Sequence, residues 1–366
     1  MLVHYFSHAG AQTGPGRAAS DWVKALRLAG VEVVELPLNA PMNLSGMSFY
    51  HGTPVQLCEL AKSFPTDDAV MRIALTTWET SLLPEKFVDG LNIYDAIVTP
   101  SRFCAGVIHK ACDIPEIEII PHCFDGNDWP AVDCPANGPF TFYTIGSFGE
   151  RKNVLGVLRA YLHEFTRADK TRLVILSDGV DFSVVKSIIA RSGLPPDELP
   201  GLLVPDAPYS TSELVKLHQN SDCFVSTTRG EGWGLGMFEA VIMQRPVVAP
   251  AHGGQVDFLE ALPDLSQWLW TPVYETPVFA GEGETEETSQ GTLATLRLPN
   301  GANARQTWAE PNLVLTARRM REAYNRFKDS RDYSCFEGNR EALEDLFSAP
   351  VVGQEFIRVL KEISGS

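Results

Sequence analysis

Two short stretches of the chain concentrate the residue types that handle anions and hydroxyl groups. The first is Ser226–Ala240, STTRGEGWGLGMFEA, in which Gly230, Gly232, Gly234 and Gly236 alternate through a turn. Glycines let the backbone turn tightly and approach a ligand closely. Where such a turn opens a helix, here expected near Met237, exposed N–H groups and the positive dipole end attract an anion such as a diphosphate. Glu231 falls in the turn and Glu239 in the first turns of the helix. A carboxylate accepts strong hydrogen bonds from sugar hydroxyls. The plainer reading of the same residues is a glycine-rich strand–helix connection with one capping glutamate. The second stretch is Ile145–Asn153, IGSFGERKN, which puts Arg151 and Lys152 at a helix start. Cations there oppose the helix dipole, so they are misplaced unless an anion sits between them and the helix end. Arg grips phosphate through two parallel bonds, and Lys acts as a point charge. The alternative is a solvated basic pair.

The first half of the chain offers a looser set. His8–Arg17, HAGAQTGPGR, joins the first strand to the first helix. Gly14 and Gly16 permit close backbone approach and Arg17 sits at the helix start, although a plain connection with a solvent-facing Arg fits equally. It is no dinucleotide fingerprint, because G-x-G-x-x-G is absent. Trp78 and Glu79 end a strand: the ring can stack on a sugar or cap the core, and the carboxylate can reach an acceptor. His122 follows Pro121 at the end of another strand, where a site role competes with a structural hydrogen bond. His252, Gly253 and Gly254 close a strand in the second half and suit close ligand approach. No set of histidines shows metal-ligand spacing.

These residues need a scaffold, and the hydrophobic pattern supplies one. Apolar β-branched runs at Met1–Ser7, Val31–Leu38, Arg72–Thr77, Ala96–Thr99 and Glu118–Ile120 read as strands, with a helix at Ala18–Ala29. The alternation restarts with strands at Phe140–Ile145, Leu173–Ser177, Cys223–Ser226 and Pro246–Ala249. Helices are expected at Val154–Phe165, Glu213–Gln219 and Phe238–Met243. Continuous apolar strands separated by helices imply parallel sheets covered on both faces. The turn-rich stretch over 125–139 reads as the seam. The expected fold class is therefore α/β, with two Rossmann-like lobes over 1–130 and 131–345. Their ligands would bind at the carboxyl ends of the strands. Helical patterns follow at 312–328, 339–348 and 354–363. An irregular insertion over 262–307 contains the acidic, aperiodic Gly281–Gln290, expected to be a mobile surface loop.

Composition bounds the partners. Of 366 residues, 46 are acidic and 30 basic, a net charge of −16. That balance argues against nucleic acid and against an anionic membrane surface, both of which require a basic footprint. No segment reads as transmembrane: the longest charge-free run, Leu36–Cys58, is broken by Pro37, Pro41, Gly46, Gly52 and Pro54. The opening lacks a basic segment ahead of an apolar one, and seven cysteines form no CxxC pair. A cytoplasmic protein with unpaired thiols is expected.

In combination these motifs resemble the retaining GT-B glycosyltransferases of glycosyltransferase family 4, also called glycosyl transferases group 1. GEGWGLGMFEA with QRPVVAPAHGGQVDFL looks like that family's nucleotide-sugar site. Glu231 and Glu239, with seven residues between them, match its E-x7-E pattern, and ERKN its diphosphate-binding basic motif. TTWETSLLPEKFVDGLNIYDAIVTPSRF, IIPHCFD and WAEPN are similar to one branch of it. The resemblance implies a hexosyl transferase moving sugar from a nucleoside-diphosphate sugar to a glycan or small-molecule acceptor, with retention. Glu239 would bind the ribose hydroxyls and Glu231 the transferred sugar. Lys152 and Arg151 would neutralise the departing diphosphate. Amides of Gly234, Leu235 and Gly236 would hold the phosphate or sugar. The loop of Gly14 and Gly16 would lie beside the donor phosphates or the acceptor. The second lobe would take the donor and the first the acceptor, and the helix of 346–366 would cross back onto the first lobe. Some members carry an Arg after the strand glycine where this chain has Ser147, which leaves the division of labour between Arg151 and Lys152 open. No Asp-x-Asp occurs in the chain, so metal-free transfer without a resident cofactor is expected. Two alternatives stand beside transfer: a GT-B nucleotide-sugar epimerase and a catalytically silent sugar-nucleotide-binding subunit.

Overall fold

The computed structural model describes residues 1–7, 13–40, 46–64, 70–114, 116–130, 138–205, 210–277 and 306–364. They divide into two compact units. The first comprises Met1–Asp125, Asp345–Ser366 and the described part of Thr276–Trp308; the second comprises Gly126–Glu275 and Ala309–Glu344. The expected acidic loop Gly281–Gln290 lies outside the described residues.

In the first unit the strands are β1 (Leu2–Ser7), β2 (Glu32–Pro37), β3 (Gly46–His51), β4 (Val70–Leu75), β5 (Ala96–Thr99) and β6 (Ile117–Ile119). They form one parallel sheet in the order β2-β1-β3-β4-β5-β6. Between them run helices α1 (Gly14–Leu28), α2 (Pro54–Ala61), α3 (Val88–Leu91) and α4 (Arg102–His109). Side chains alternate across the sheet as the strand period demands. Val3, Tyr5, Phe49, Ile73 and Val98 join Trp22 of α1 in one core. Phe6, Tyr50, Ala74 and Ile97 join Leu57, Leu91 and Ile108 of α2, α3 and α4 in the other.

The second unit repeats the plan. Its strands are β7 (Phe140–Ile145), β8 (Thr171–Leu176), β9 (Gly201–Leu203), β10 (Cys223–Val225), β11 (Val247–Pro250) and β12 (Trp268–Thr271). Their parallel order is β12-β11-β10-β7-β8-β9. The helices are α5 (Val154–Glu164), α6 (Phe182–Arg191), α7 (Thr211–Gln219), α8 (Leu235–Ile242), α9 (Gln255–Leu259) and α10 (Leu313–Phe327). One face of this sheet is filled by Phe142, Leu173, Val225 and Val248 against Leu158 and Tyr161 of α5 and Met320 and Phe327 of α10.

Helix α11 (Glu337–Phe347) leads to α12 (Ala349–Ser364), which packs on α1. Val352, Phe356, Val359 and Leu360 enter the core of β1 and β3, with the Phe356 ring edge-on to Trp22 at 5.7 Å. Gly353 lies so close to the Ala25 carbonyl that an added Cβ would collide with it.

Several boundaries differ from the sequence reading. Helix α1 begins at Gly14 instead of Ala18, because Thr13 caps it: its Oγ1 accepts from the Gly16 amide at 3.2 Å, and Pro15 suits the first turn. Gly14, Gly16 and Arg17 are therefore first-turn residues of a helix and not a loop. Strand β3 lies inside the charge-free run of 36–58. Strand β12 lies inside the stretch of 262–307 expected to be irregular; it pairs along β11 from Val247–Trp268 to Pro250–Thr271.

Candidate functional site

In the second unit the strand order reverses between β10 and β7, which are neighbours in the sheet. Open α/β sheets bind ligands outside the carboxyl ends of strands at such a reversal. The two stretches with anion-handling residues leave the sheet there: 146–153 follows β7 and 226–234 follows β10.

The backbone stitches the two loops together. The Arg229 amide donates to the Arg151 carbonyl at 2.7 Å. Thr227 Oγ1 donates to the Asn153 carbonyl at 2.7 Å, and Asn153 Nδ2 returns a bond to the Thr227 carbonyl at 3.0 Å. Asn153 caps α5 in the left-handed conformation, φ 48°. The Arg229 side chain donates to the Glu150 carbonyl and pairs with Glu310 through two of its nitrogens. Loop 146–153 is thus pinned to loop 226–234, and Arg229 adds the strap at Glu310.

Within that frame three predicted residues meet. Lys152 Nζ donates to both carboxylate oxygens of Glu231, at 2.7 and 2.8 Å. Arg151 donates to the Gly230 carbonyl at 2.7 Å and stands 3.6 Å from Glu231 Oε2. Burial raises the Glu231 carboxyl, but Lys152 and Arg151 outweigh it and hold the group below its ordinary range. Glu231 is therefore an ionised, buried carboxylate whose counter-ions are the cations expected to meet a diphosphate. Gly253 backs this arrangement at φ +99°: an added Cβ there would sit 3.1 Å from the Glu231 carbonyl oxygen, and the Gly254 amide donates to that oxygen at 2.8 Å.

Helix α8 starts beside them. Gly234 caps it at φ +93°, a left-handed conformation that favours glycine. Leu235 and Gly236 form its first turn, where helix geometry gives the amides no intrahelical acceptor. Glu239 lies one turn on, buried, with Oε2 3.6 Å from His218 Nε2. Ser147, where relatives of the resembled family can carry Arg, is half-buried on the β7 loop and brings no charge.

The remaining candidates sit in the first unit. Trp78 is part of the core, and its indole N–H donates to Thr80 Oγ1 and the Leu82 carbonyl at 2.7 and 2.8 Å. The ring therefore packs and does not present a stacking face. His122 is buried, its ring 4.6 Å from that of Trp22. Burial, helped by the nearby His51, pushes it down to about 3, so it stays neutral near pH 7. Glu79 and Arg17 are only half-buried. Among the described residues no cluster of His, Cys, Asp and Glu could hold a metal ion, no cysteine is in a disulfide, and no helix is long and apolar enough to cross a membrane.

Sequence reasoning had not singled out Asn153, Thr227, Arg229, Glu310 or His218. For Glu310 the only sequence signal was its place in the WAEPN stretch; Asn153, Thr227 and Arg229 lie inside the two anion-handling stretches without a role of their own, and His218 has no local pattern.

The model of the family described as glycosyl transferases group 1 matches residues 139–270, the stretch that carries both loops and α8. No curated protein matches the chain. A glycosyltransferase from Rickettsia africae ESF-5 is similar with a TM-score of 0.66 and 14% identity, over 99% of this chain and 98% of its own. The sucrose-phosphate synthase from Thermosynechococcus elongatus gives a TM-score of 0.66 and 12% identity, over 100% of this chain and 99% of its own. A mutant TarM from S. aureus, solved with fondaparinux, alpha-GlcNAc-glycerol and UDP, gives a TM-score of 0.58 and 14% identity over 86% of this chain, which spans only 55% of the TarM chain. At these identities the likenesses establish fold, and the fold is the GT-B kind. The family model thus rests on the very unit that brings Lys152, Glu231 and α8 together, and that unit of this GT-B chain is similar to glycosyl transferases group 1.

Proposed function

We propose that the protein transfers a hexosyl group from a nucleoside-diphosphate sugar to an acceptor hydroxyl, with retention of configuration and without a metal ion or resident cofactor. The observation that carries this reading is the Arg151–Lys152–Glu231 cluster beside the start of α8. Breaking a sugar–phosphate bond builds positive charge on the sugar and negative charge on the diphosphate. Lys152, Arg151 and the amides of Leu235 and Gly236 are fixed positive groups, and such groups stabilise developing charge most when they need not reorganise. Lys152 would exchange Glu231 for the diphosphate, which turns the Glu231 carboxylate to the sugar hydroxyls. Glu239 would take the ribose. Retention comes from the family resemblance alone.

We assign the donor to the second unit and the acceptor, a glycan or small molecule, to the first, where Glu79 and Arg17 are the candidate polar groups. We further propose a cytoplasmic setting. The test is thermal stability with UDP-, GDP-, ADP- and dTDP-sugars, with and without EDTA. Ligand at a hundred times its Kd stabilises a fold by about 2.7 kcal/mol. One EDTA-resistant hit, lost in Glu239→Ala, with sugar then delivered to an acceptor, is the expected result. A hit abolished by EDTA would remove the metal-free claim, and no hit would remove the donor. Ser147 favours a second reading, a silent sugar-nucleotide-binding subunit; it predicts donor binding with no transfer to any acceptor.

A further inference from the structure

We propose that His218 is a positioning residue for Glu239, itself held in place by Tyr143; this rests on the reading of Glu239 as the carboxylate that takes the donor ribose. His218 lies near the end of α7 and is completely buried. Its Nδ1 is 2.7 Å from the Tyr143 hydroxyl on β7, and its Nε2 is 3.6 Å from Oε2 of Glu239 on α8. Three elements remote in sequence thus converge on one imidazole. Aromatic rings box it in: Tyr143 stands edge-on at 5.3 Å and Trp129 at 5.8 Å. The backbone beneath it is fixed as well, because Arg245 Nε donates to the His218 carbonyl at 3.0 Å.

The chemistry follows from the hydrogen-bond inventory. In the tautomer in which the Tyr143 O–H donates to Nδ1, Nε2 carries a proton and faces Glu239 as a donor. A buried carboxylate needs donors to hold one geometry. At 3.6 Å the contact is too long for a hydrogen bond, and polar contacts in ligand sites commonly tighten only when the ligand is bound. An imidazole locked on its far side by Tyr143 would engage one carboxylate oxygen and leave the other to the ribose.

The experiment measures binding of UDP, GDP and ADP, and of their 2′,3′-dideoxy forms, to the full chain by calorimetry. For whichever nucleotide binds, the ratio of dideoxy to ribose dissociation constants reports the grip on the ribose. That ratio should collapse in Glu239→Gln and fall about tenfold in His218→Leu. His218→Gln, which keeps an N–H donor, should preserve most of it. Tyr143→Phe, which deletes one buried hydroxyl without changing shape, should lower it severalfold and guards against a His218 variant that does not fold. A packing role would weaken both forms equally and leave the ratio unchanged in His218→Leu and Tyr143→Phe, which overturns the positioning role while Glu239→Gln still behaves as expected. Loss of discrimination in none of the variants, or no binding by any of the three nucleotides, would instead overturn the reading of Glu239 and the positioning role with it.

Discussion

Acid should loosen the first unit through His122, and the size of the effect can be worked out. Buried beside Trp22 and near His51, its imidazole is pushed down to about 3 from an ordinary value of 6.5. Between those values the unfolded chain binds a proton that the folded chain refuses. Stability from this group is therefore complete above pH 6.5 and is lost as pH falls below it, by about 1.4 kcal/mol per pH unit. At pH 5 the loss is about 2 kcal/mol. Urea unfolding of the wild type and of His122→Gln, each at pH 7.5 and pH 5, isolates the contribution, because paired carboxylates such as Glu231 act alike in both proteins. The wild type should lose about 2 kcal/mol more than the variant over that interval. Histidine ring NMR gives the direct check: His122 should show no titration above pH 5. Equal pH slopes in the two proteins, or a His122 midpoint near 6.5, would refute the argument and return His122 to the candidates for chemistry.

Other perturbations bear on the site and on the packing that holds the first unit. Glu231→Gln should cut sugar transfer by about two orders of magnitude yet leave a bare nucleoside diphosphate bound as tightly or more tightly, because Lys152 loses its internal counter-ion; weaker diphosphate binding by calorimetry would contradict the exchange of partners. Arg229→Ala and Glu310→Ala should each raise the donor KM by about tenfold, with the double variant no worse than Arg229→Ala alone, since among the described residues Arg229 is the only partner through which Glu310 acts on the strap. Gly353→Ala should cost about 1–3 kcal/mol by driving α12 off the Ala25 carbonyl. Gly106→Ala, where an added Cβ meets nothing within 4 Å in α4, should instead stabilise by up to about 1 kcal/mol; thermal melting compares the two.

What the sequence made legible was what local chemistry encodes. The glycine-rich loop after β10, the basic pair after β7 and helices α5 and α8 each carry their signal within about a dozen residues. Strand β3 was not legible, because GMSFYH lies among prolines and glycines in a run with no polar alternation, and its neighbours β1 and β4 supply the burial that makes it a strand. Strand β12 was hidden by its position next to a long aperiodic stretch. The candidate site divides the same way. Glu231 and Lys152 could each be named from its own loop, but their mutual pairing follows from β10 lying beside β7, which no local window contains. Trp78 and His122 carried two readings apiece, and only the surroundings, Thr80 and Leu82 for one and Trp22 for the other, chose between them. Arg229, Glu310 and His218 acquire meaning only from partners far away in the sequence.

The seating of α12 on α1 also sets the order of events on the ribosome. The partner of Trp22, Ala25 and Leu26 is translated only after the whole second unit has been translated. At about 5–20 residues per second, that is a wait of some tens of seconds. During that interval the apolar face of α1 and the adjoining side of β1 and β3 have no native cover. The second unit closes its sheet with α5 and α10 and does not need α12, so it can mature while its predecessor is still unfinished. Until α12 is made, the nascent first unit leaves this apolar surface open, and the seating of α12 on α1 is what covers it.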